Sequence, residues 1–365
     1  MRLPLRADLQ GIEPYGAPQI AVPIVLNVNE NPYQPNEDVV RDIANAVAEA
    51  ARGANRYPDR DFMDLRADLA AYLLKESHAD VPAEQIWAGN GSNEIMLHLL
   101  TAFGGPGRIA LGFDPTYSMY PEYARDTLTE WHAIPRREHF TIDIDAACAA
   151  IDERAPSVVL LASPNNPTGT ALTIEEIRSI ADAARGAGPD GTDAVVVIDE
   201  AYGEFRREET PSALSLRDEY PHLVVTRTMS KAFGMAGLRL GYLAAHTAIV
   251  DALTVVRLPY HLSAITQAAA RAALGHAESL MAQIASLRSE RDQLVTWLED
   301  NGFQPSPSDA NFVLFGPVED RRRVWEGLLE RGILIREVGP PGHLRVTVGS
   351  PTEMAAFRAA LLEVT

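Results

Sequence analysis

Apolar residues along this chain follow two alternating patterns. Segments near 36–52, 61–76, 93–102 and 173–187 repeat apolar positions every three to four residues, the spacing of a helix with one buried face. Between them lie short unbroken apolar runs, such as residues 158–162, 194–198 and 223–226, which suit strands covered on both faces. Helices alternating with such strands predict an α/β domain with a mostly parallel central sheet flanked by helices. From about residue 264 the pattern changes. One long helix is expected over 264–299, then an apolar run at 310–315, a helix near 319–331 and runs at 332–335 and 344–348, which together read as a smaller α+β domain. Residues 1–35 are rich in proline and lack periodicity, so they read as an extended arm. The expected organisation is an arm over 1–35, a large domain over 36–263 and a small C-terminal domain over 264–365, joined by part of the arm. No internal repeat or low-complexity segment is present, and the glycine-rich stretch 186–191 reads as a loop within the large domain.

Composition narrows the classes of function. At 365 residues and 46% hydrophobic content, the chain can bury a large core. No stretch approaches the roughly 20 apolar residues of a membrane span, and the N-terminal residues lack the apolar core of a secretion signal, so a cytoplasmic location is expected. The single cysteine, Cys148, sits among alanines and reads as small core filling. A net charge of −18 repels polyanions, so neither nucleic acid nor an anionic membrane is an expected partner. An anionic small molecule would need a local basic pocket. The basic residues are almost all arginine, and the two lysines are Lys75 and Lys231. A lysine can give up its proton in a protein where an arginine does not. Lys75 falls on the polar side of a helical pattern and reads as solvated, which leaves Lys231.

In open α/β sheets the ligand lies beyond the carboxyl ends of the strands, so residues just after each apolar run carry the information. Four such ends stand out. Gly89-Asn-Gly-Ser-Asn-Glu94 leads into a helix and could offer backbone N–H groups to an anion, or could be a simple connection. Ser163-Pro-Asn-Asn-Pro-Thr-Gly169 is rigid and polar, as an ordinary loop can also be. Asp199-Glu-Ala-Tyr202 places a carboxylate where an apolar strand ends. Arg227-Thr-Met-Ser-Lys231 places the lysine in the same way, with Arg239 eight residues further on. An apolar strand followed by Asp-Glu also describes the magnesium strand of a P-loop NTPase, but neither lysine has the required Gly-x-x-x-x-Gly-Lys-Ser/Thr context. The dinucleotide fingerprint fails because Glu94 stands where its third glycine belongs. No histidine or carboxylate cluster has metal-ligand spacing, so no metal is expected.

Pyridoxal 5'-phosphate accounts for these strand ends together, since it needs an amine for its Schiff base, a carboxylate at its pyridine nitrogen, donors at its phenolic oxygen, an aromatic face and an anion cradle. Lys231 supplies the amine and Asp199 the carboxylate, which would keep the ring nitrogen protonated. The freed Lys231 amine would then act as general base and acid in the 1,3-prototropic shift of transamination.

Longer stretches carry a resemblance over nearly the whole chain: Asn29-Glu-Asn-Pro-Tyr33, Arg56-Tyr-Pro-Asp59, Gly91-Ser-Asn-Glu94, Pro115-Thr-Tyr-Ser-Met-Tyr120, Ser163 to Gly169, Asp199-Glu-Ala-Tyr-Gly-Glu-Phe205, Arg227 to Arg239 and Leu344-Arg-Val-Thr-Val-Gly349. In these the chain resembles fold-type I PLP-dependent aminotransferases (class II) and, within them, the histidinol-phosphate aminotransferases. The resemblance implies that Tyr117 stacks on the pyridine ring, and that Asn166 and Tyr202 bond its phenolic oxygen. It implies a phosphate cradle of Ser92, Asn93, Ser230 and Arg239, with Thr228 as a further contact. It also implies a homodimer in which Tyr57 reaches the cofactor phosphate of the neighbouring subunit.

The same resemblance implies transfer of the amino group of L-histidinol phosphate to 2-oxoglutarate, giving imidazole acetol phosphate and glutamate in histidine biosynthesis. An aromatic amino-acid aminotransferase of the same fold is the alternative. A phosphate ester in place of a carboxylate calls for bidentate donors, and Arg336 and Arg345 are the candidates. Strand alternation puts Arg345 and Thr347 on the polar side of residues 344–348 and Leu344, Val346 and Val348 on the other. By resemblance Tyr15 and Tyr260 line the substrate site.

Overall fold

The computed structural model describes residues 3–365, so Met1 and Arg2 of the N-terminal stretch read above lie outside the described residues. The strands are β1 (Ile24–Val25), β2 (Ile86–Gly89), β3 (Ile109–Asp114), β4 (Glu130–Pro135), β5 (Val158–Ala162), β6 (Val195–Asp199), β7 (Leu223–Thr228), β8 (Gly241–Ala245), β9 (Phe312–Phe315), β10 (Ile333–Leu334), β11 (Arg336–Glu337) and β12 (Leu344–Thr347). The α-helices are α1 (Glu37–Arg52), α2 (Met63–Ser77), α3 (Ser92–Phe103), α4 (Met119–Asp126), α5 (Ile144–Arg154), α6 (Ile174–Ala183), α7 (Thr247–Val256), α8 (Ala264–Gly275), α9 (Ala277–Met281), α10 (Ile284–Asp300), α11 (Arg321–Glu330) and α12 (Pro351–Val364). None of the described helices is long and apolar enough to cross a membrane.

The central sheet has seven strands in the order β2-β8-β7-β6-β5-β3-β4. Strands β4, β3, β5, β6 and β7 pair in parallel, and β8 is antiparallel to both of its neighbours, so it alone runs the opposite way. Every residue of β5, β6 and β7 is buried, which is why these strands read as unbroken apolar runs rather than alternating ones. The helices that cover the sheet start on side-chain caps where the sequence provides them. Asn36 caps α1 by accepting from the Val39 N–H, and Thr173 with Glu176 forms a reciprocal capping box on α6. A second, three-stranded sheet in the order β11-β12-β9 packs with α10, α11 and α12 around a smaller core of residues such as Leu298, Val313, Val346 and Phe357. The arm joins this smaller unit through β1, which pairs in parallel with β10 at Ile24↔Ile333.

Two expectations are corrected. The single helix over 264–299 is three helices, with breaks at His276 and Gln283. The breaks let the buried face change partner: Ala270, Ala273 and Leu280 pack in the large core, whereas Leu294 and Leu298 pack in the small one. Between them Ile284 and Leu287 of α10 pack in a third cluster with Tyr202, Phe205 and Phe312. Cys148 is half-buried rather than core, because the buried stripe of α5 runs through Ala147 and Ile151 and leaves its thiol at the edge, 3.6 Å from the Ser179 carbonyl. Lys75 is exposed, as its helical position implied.

On the face of the sheet away from the α4 side, β7 buries Arg227 in a ring of acids. Its Nε donates to Glu200 at 2.8 Å, and its Nη1 lies 3.1 Å from both Glu204 and Glu76. Burial works against the Arg227 charge, but Glu200, Glu76 and Glu204 together hold its pKa well above the ordinary value. Removing one partner from a buried ionic cluster leaves the others uncompensated. We therefore expect Arg227→Met to lose about 3–5 kcal/mol of stability, measured as a lower urea midpoint. An unchanged midpoint would show that the acids are already neutral.

Candidate active site

The carboxyl ends of β2, β5, β6 and β7 meet at one edge of the large sheet, where β8 begins. This edge floors a cavity of about 260 Å³. Asp199 ends β6 and is 6% exposed. The pairing of β6 with β7 sets Thr226 opposite it, and the Thr226 hydroxyl donates to Oδ1 at 3.0 Å. The Tyr120 hydroxyl of α4 donates to Oδ2 at 2.9 Å, and the Ala201 N–H to Oδ1 at 3.2 Å. Burial raises the Asp199 pKa, and these three hydrogen bonds oppose the rise by favouring the ionised form.

Lys231 follows β7 after a short turn, and its Nζ donates to the Val28 carbonyl of the arm at 2.9 Å. Burial pulls its pKa down to about 8, with the Arg345 and Arg239 charges acting in the same sense and Glu30 opposing. At neutral pH about a tenth of this amine is therefore free of its proton, far more than for an ordinary lysine, as a nucleophile requires.

The turn from β2 into α3 is made by Gly91 at φ +84°, and no side chain caps the helix, so Ser92 and Asn93 present first-turn N–H groups. A Cβ on Gly91 would sit 2.6 Å from Arg239 Nη2, and one on Gly241 would sit 2.2 Å from the Ser92 nitrogen. These two glycines let the helix start, the arginine and β8 come together. The Thr228 and Ser230 hydroxyls, 3.1 Å apart, line the same end of the cavity. Arg239 is exposed, adopts a left-handed backbone at φ 56° and holds only the Ala236 carbonyl, at 3.3 Å, among the described residues. This is a ready anion site.

Tyr117 and Tyr202 line the cavity, the first edge-on to Tyr120 and the second edge-on to Phe312. The Tyr202 hydroxyl accepts from Asn29 Nδ2 at 2.9 Å. Asn166 also lines the cavity, and its side-chain oxygen accepts from Arg345. The pairing of β11 with β12 sets Arg336 directly opposite Arg345. Arg345 is 6% exposed, lies 5.0 Å over the Phe312 ring and donates to the Asn27 carbonyl at 2.8 Å. Burial lowers its pKa to about 10, which leaves it charged at neutral pH. Arg345 Nε and Arg336 Nη1 are buried and find no partner among the described residues. An unpaired buried donor costs about 1–3 kcal/mol, so the pair is built for an anion.

Of the residues singled out in the sequence, the structure brings Tyr15, Ser92, Asn93, Tyr117, Asn166, Asp199 and Tyr202 to this cavity, along with Thr228, Ser230, Lys231, Arg239, Arg336 and Arg345. It does not bring Tyr57 or Tyr260. These two stack on each other at 4.5 Å outside the cavity, with Tyr57 80% exposed. Residues that sequence reasoning missed are Asn27, Val28, Tyr120 and Thr226. Asn29 and Tyr120 stood inside motifs already noted, but their partners are set by strand register and by the path of the arm.

A model of the class I and II aminotransferase family matches residues 21–361. The chain belongs to that family. It is 60% identical to a histidinol-phosphate aminotransferase of Thermobifida fusca, covering 100% of this chain and 96% of that protein. It is 58% identical to histidinol-phosphate aminotransferase 3 of Burkholderia lata, over 99% of this chain and 96% of that protein. Among solved structures it is similar to a histidinol-phosphate aminotransferase of Sinorhizobium meliloti in complex with pyridoxal 5'-phosphate, at TM-score 0.81 and 26% identity, over 94% of this chain and 91% of that one. These neighbours are fold-type I aminotransferases, and the seven-stranded, mostly parallel sheet agrees with that class.

The protonation state of the Lys231 amine sets how fast it can react with an aldehyde. Below pH 8 the amine is mostly protonated and unreactive, and above it mostly free. Reductive trapping of Lys231 in the apoprotein by an aromatic aldehyde should therefore speed up as pH rises through about 8 and level off beyond it. A rate still climbing toward pH 10 would show that burial does not depress this amine.

Proposed function

We propose that this aminotransferase uses pyridoxal 5'-phosphate to move the amino group of L-histidinol phosphate to 2-oxoglutarate, a step of histidine biosynthesis. The observation that carries the substrate reading is the Arg336–Arg345 pair, one guanidinium half-buried and the other buried, each with a buried N–H group that finds no partner among the described residues, in the same cavity as Lys231 and Asp199. The relatives in Thermobifida fusca and Burkholderia lata carry the same activity in their names.

The residues present fit the cofactor. The orphaned helix start held close to Arg239 by Gly91 suits its phosphate, and the Asp199 carboxylate, furnished with three donors, suits a protonated ring nitrogen. When bound, pyridoxal phosphate supplies an aldehyde for an amine and a cationic ring that accepts the electrons left at the substrate Cα. Asp199 holds the proton on the ring nitrogen. Tyr202 and Asn166 orient the phenolic oxygen, and Tyr117 covers a ring face. Ser92, Asn93, Thr228, Ser230 and Arg239 take the cofactor phosphate. Lys231, low in pKa, accepts the proton from the substrate Cα and delivers it to the cofactor C4′. Arg336 and Arg345 grip the substrate phosphate, and Tyr15 of the arm closes the outer wall.

We read the exposed Tyr57, stacked on Tyr260, as a group for a second copy of the chain, so that a homodimer in the cytoplasm completes each site. Its position outside the cavity of its own subunit supports this.

The direct test is the half-reaction. Adding histidinol phosphate to the holoenzyme should shift the cofactor absorbance band, and Lys231→Ala should show no such shift. Among the described residues Arg336 holds only the Gly16 carbonyl, at 3.3 Å, so Arg336→Ala is the cleaner probe of phosphate binding. We expect it to lower kcat/KM for histidinol phosphate about 100-fold, or about 3 kcal/mol, while activity with phenylalanine changes little. A parent enzyme that prefers phenylalanine would transfer the assignment to the aromatic aminotransferases.

A further inference from the structure

Behind the turn that forms the anion cradle lies an aromatic cluster that the chemistry above does not use. His261, on the irregular segment between α7 and α8, has its Nε2 2.9 Å from the Ala88 carbonyl. A carbonyl only accepts, so Nε2 carries the ring proton. The backbone carbonyl of the same residue accepts from Asn90 Nδ2 at 2.9 Å. His261 thus holds the chain at residue 88 with its side chain and at residue 90 with its backbone, immediately before Gly91, Ser92 and Asn93. The Asn90 N–H is held in addition by Glu94.

The imidazole is itself fixed. It stacks on Trp87 of β2 at 5.4 Å and 16°, and meets His98 of α3 edge-on at 5.5 Å. The Trp87 indole N–H points at His98 Nδ1 at 3.4 Å. One cluster therefore ties β2, α3 and the 257–263 segment together around the cradle turn. Burial holds both imidazoles below their ordinary pKa, and Arg66 and Arg257, both lying against Trp87, oppose a further positive charge there. The neighbouring Tyr260 sits at φ 56°, a left-handed conformation that a tyrosine rarely adopts, so the segment is bent to aim His261 inward while Tyr260 faces out onto Tyr57.

We infer that His261 is a positioning residue for the cofactor-phosphate cradle: by clamping Ala88 and Asn90 it sets where the Ser92 and Asn93 N–H groups stand relative to Arg239. The inference rests on the reading that this helix start takes the cofactor phosphate. A mispositioned cradle weakens binding of the phosphate and leaves the rest of the ring site as it was.

The test compares the affinity of the apoprotein for pyridoxal 5'-phosphate with its affinity for pyridoxal, which lacks the phosphate, by fluorescence or absorbance titration. The parent should favour the phosphorylated form strongly. His261→Leu should weaken pyridoxal phosphate about 10-fold and leave pyridoxal unchanged, and His261→Gln, which keeps a donor at the Nε2 position, should restore most of the loss. Asn90→Ala removes the other half of the clamp without disturbing the stacked rings and should show the same selective loss, which keeps the test open if His261→Leu does not fold. Equal weakening of both ligands, or no change in either, overturns the role of His261. A parent with no preference between the ligands overturns the cradle reading itself, and this inference with it.

Discussion

Burying a carboxylate at the end of a central strand is the constraint around which this site is arranged. Asp199 and Glu200 are consecutive, both buried, and flanked by apolar β-structure, so each needs compensation. The pleat sends the two in different directions, and β7 answers with two consecutive residues of its own. Thr226 donates to Asp199 on one side and Arg227 pairs with Glu200 on the other. Glu200 is neutralised by a full positive charge and becomes structural. Asp199 receives three neutral donors and no cation, so its charge is favoured but not cancelled. What remains is a carboxylate whose ionised form burial still disfavours, and a cationic partner such as a protonated pyridine nitrogen would secure it.

The same logic in the opposite sign governs the outer end of the cavity. Arg336 and Arg345 are cross-strand neighbours, and like charges set opposite each other on a sheet repel. Backbone carbonyls of Gly16 and Asn27 and the side chain of Asn166 relieve part of that repulsion, yet buried N–H groups stay unpaired on both. A dianionic phosphate resolves both the repulsion and the unpaired donors, where a single carboxylate carries half the charge. The positive pair also acts at a distance, since Arg345 helps push Lys231 toward its neutral form. The anion pocket and the readiness of the Lys231 amine thus draw on one local field.

Much of this was legible in the sequence because the physics is local. Apolar runs marked β5, β6 and β7, the residues just after them marked Asp199 and Lys231, and the Gly89–Glu94 turn marked a candidate anion site. The scarcity of lysine drew attention to Lys231 before any fold was known. Contacts fixed by register and by chain path were not legible. Thr226 faces Asp199 only because β7 pairs with β6 in one register, and Arg227 reads in sequence as part of a basic motif rather than as the centre of an acidic ring. Helix α5, rich in alanine, shows little two-faced contrast. The continuous pattern over 264–299 hid two breaks because each piece keeps helical spacing, although only α10 turns its apolar stripe away from the large core.

The cavity draws its lysine and aspartate from the large core and its arginines from the small one, so some element must hold the two in a fixed relation. The arm does this over residues 27–29. The carbonyl of Val28 holds Lys231, that of Asn27 holds Arg345 and that of Asn29 accepts from Asn311. The Asn29 N–H and side chain reach Thr347 of β12, and its amide also reaches Tyr202 beside Asp199. Asn29 adopts φ 58°, which its short polar side chain tolerates better than most, and which lets backbone and side chain face different units. An extended segment suits this role because its peptide groups are not used up by helix or sheet partners. What reads in sequence as a proline-rich lead-in is therefore the part of the chain that sets the distance between the Lys231 amine and the paired arginines. That distance determines the length of substrate that can be bound at both ends.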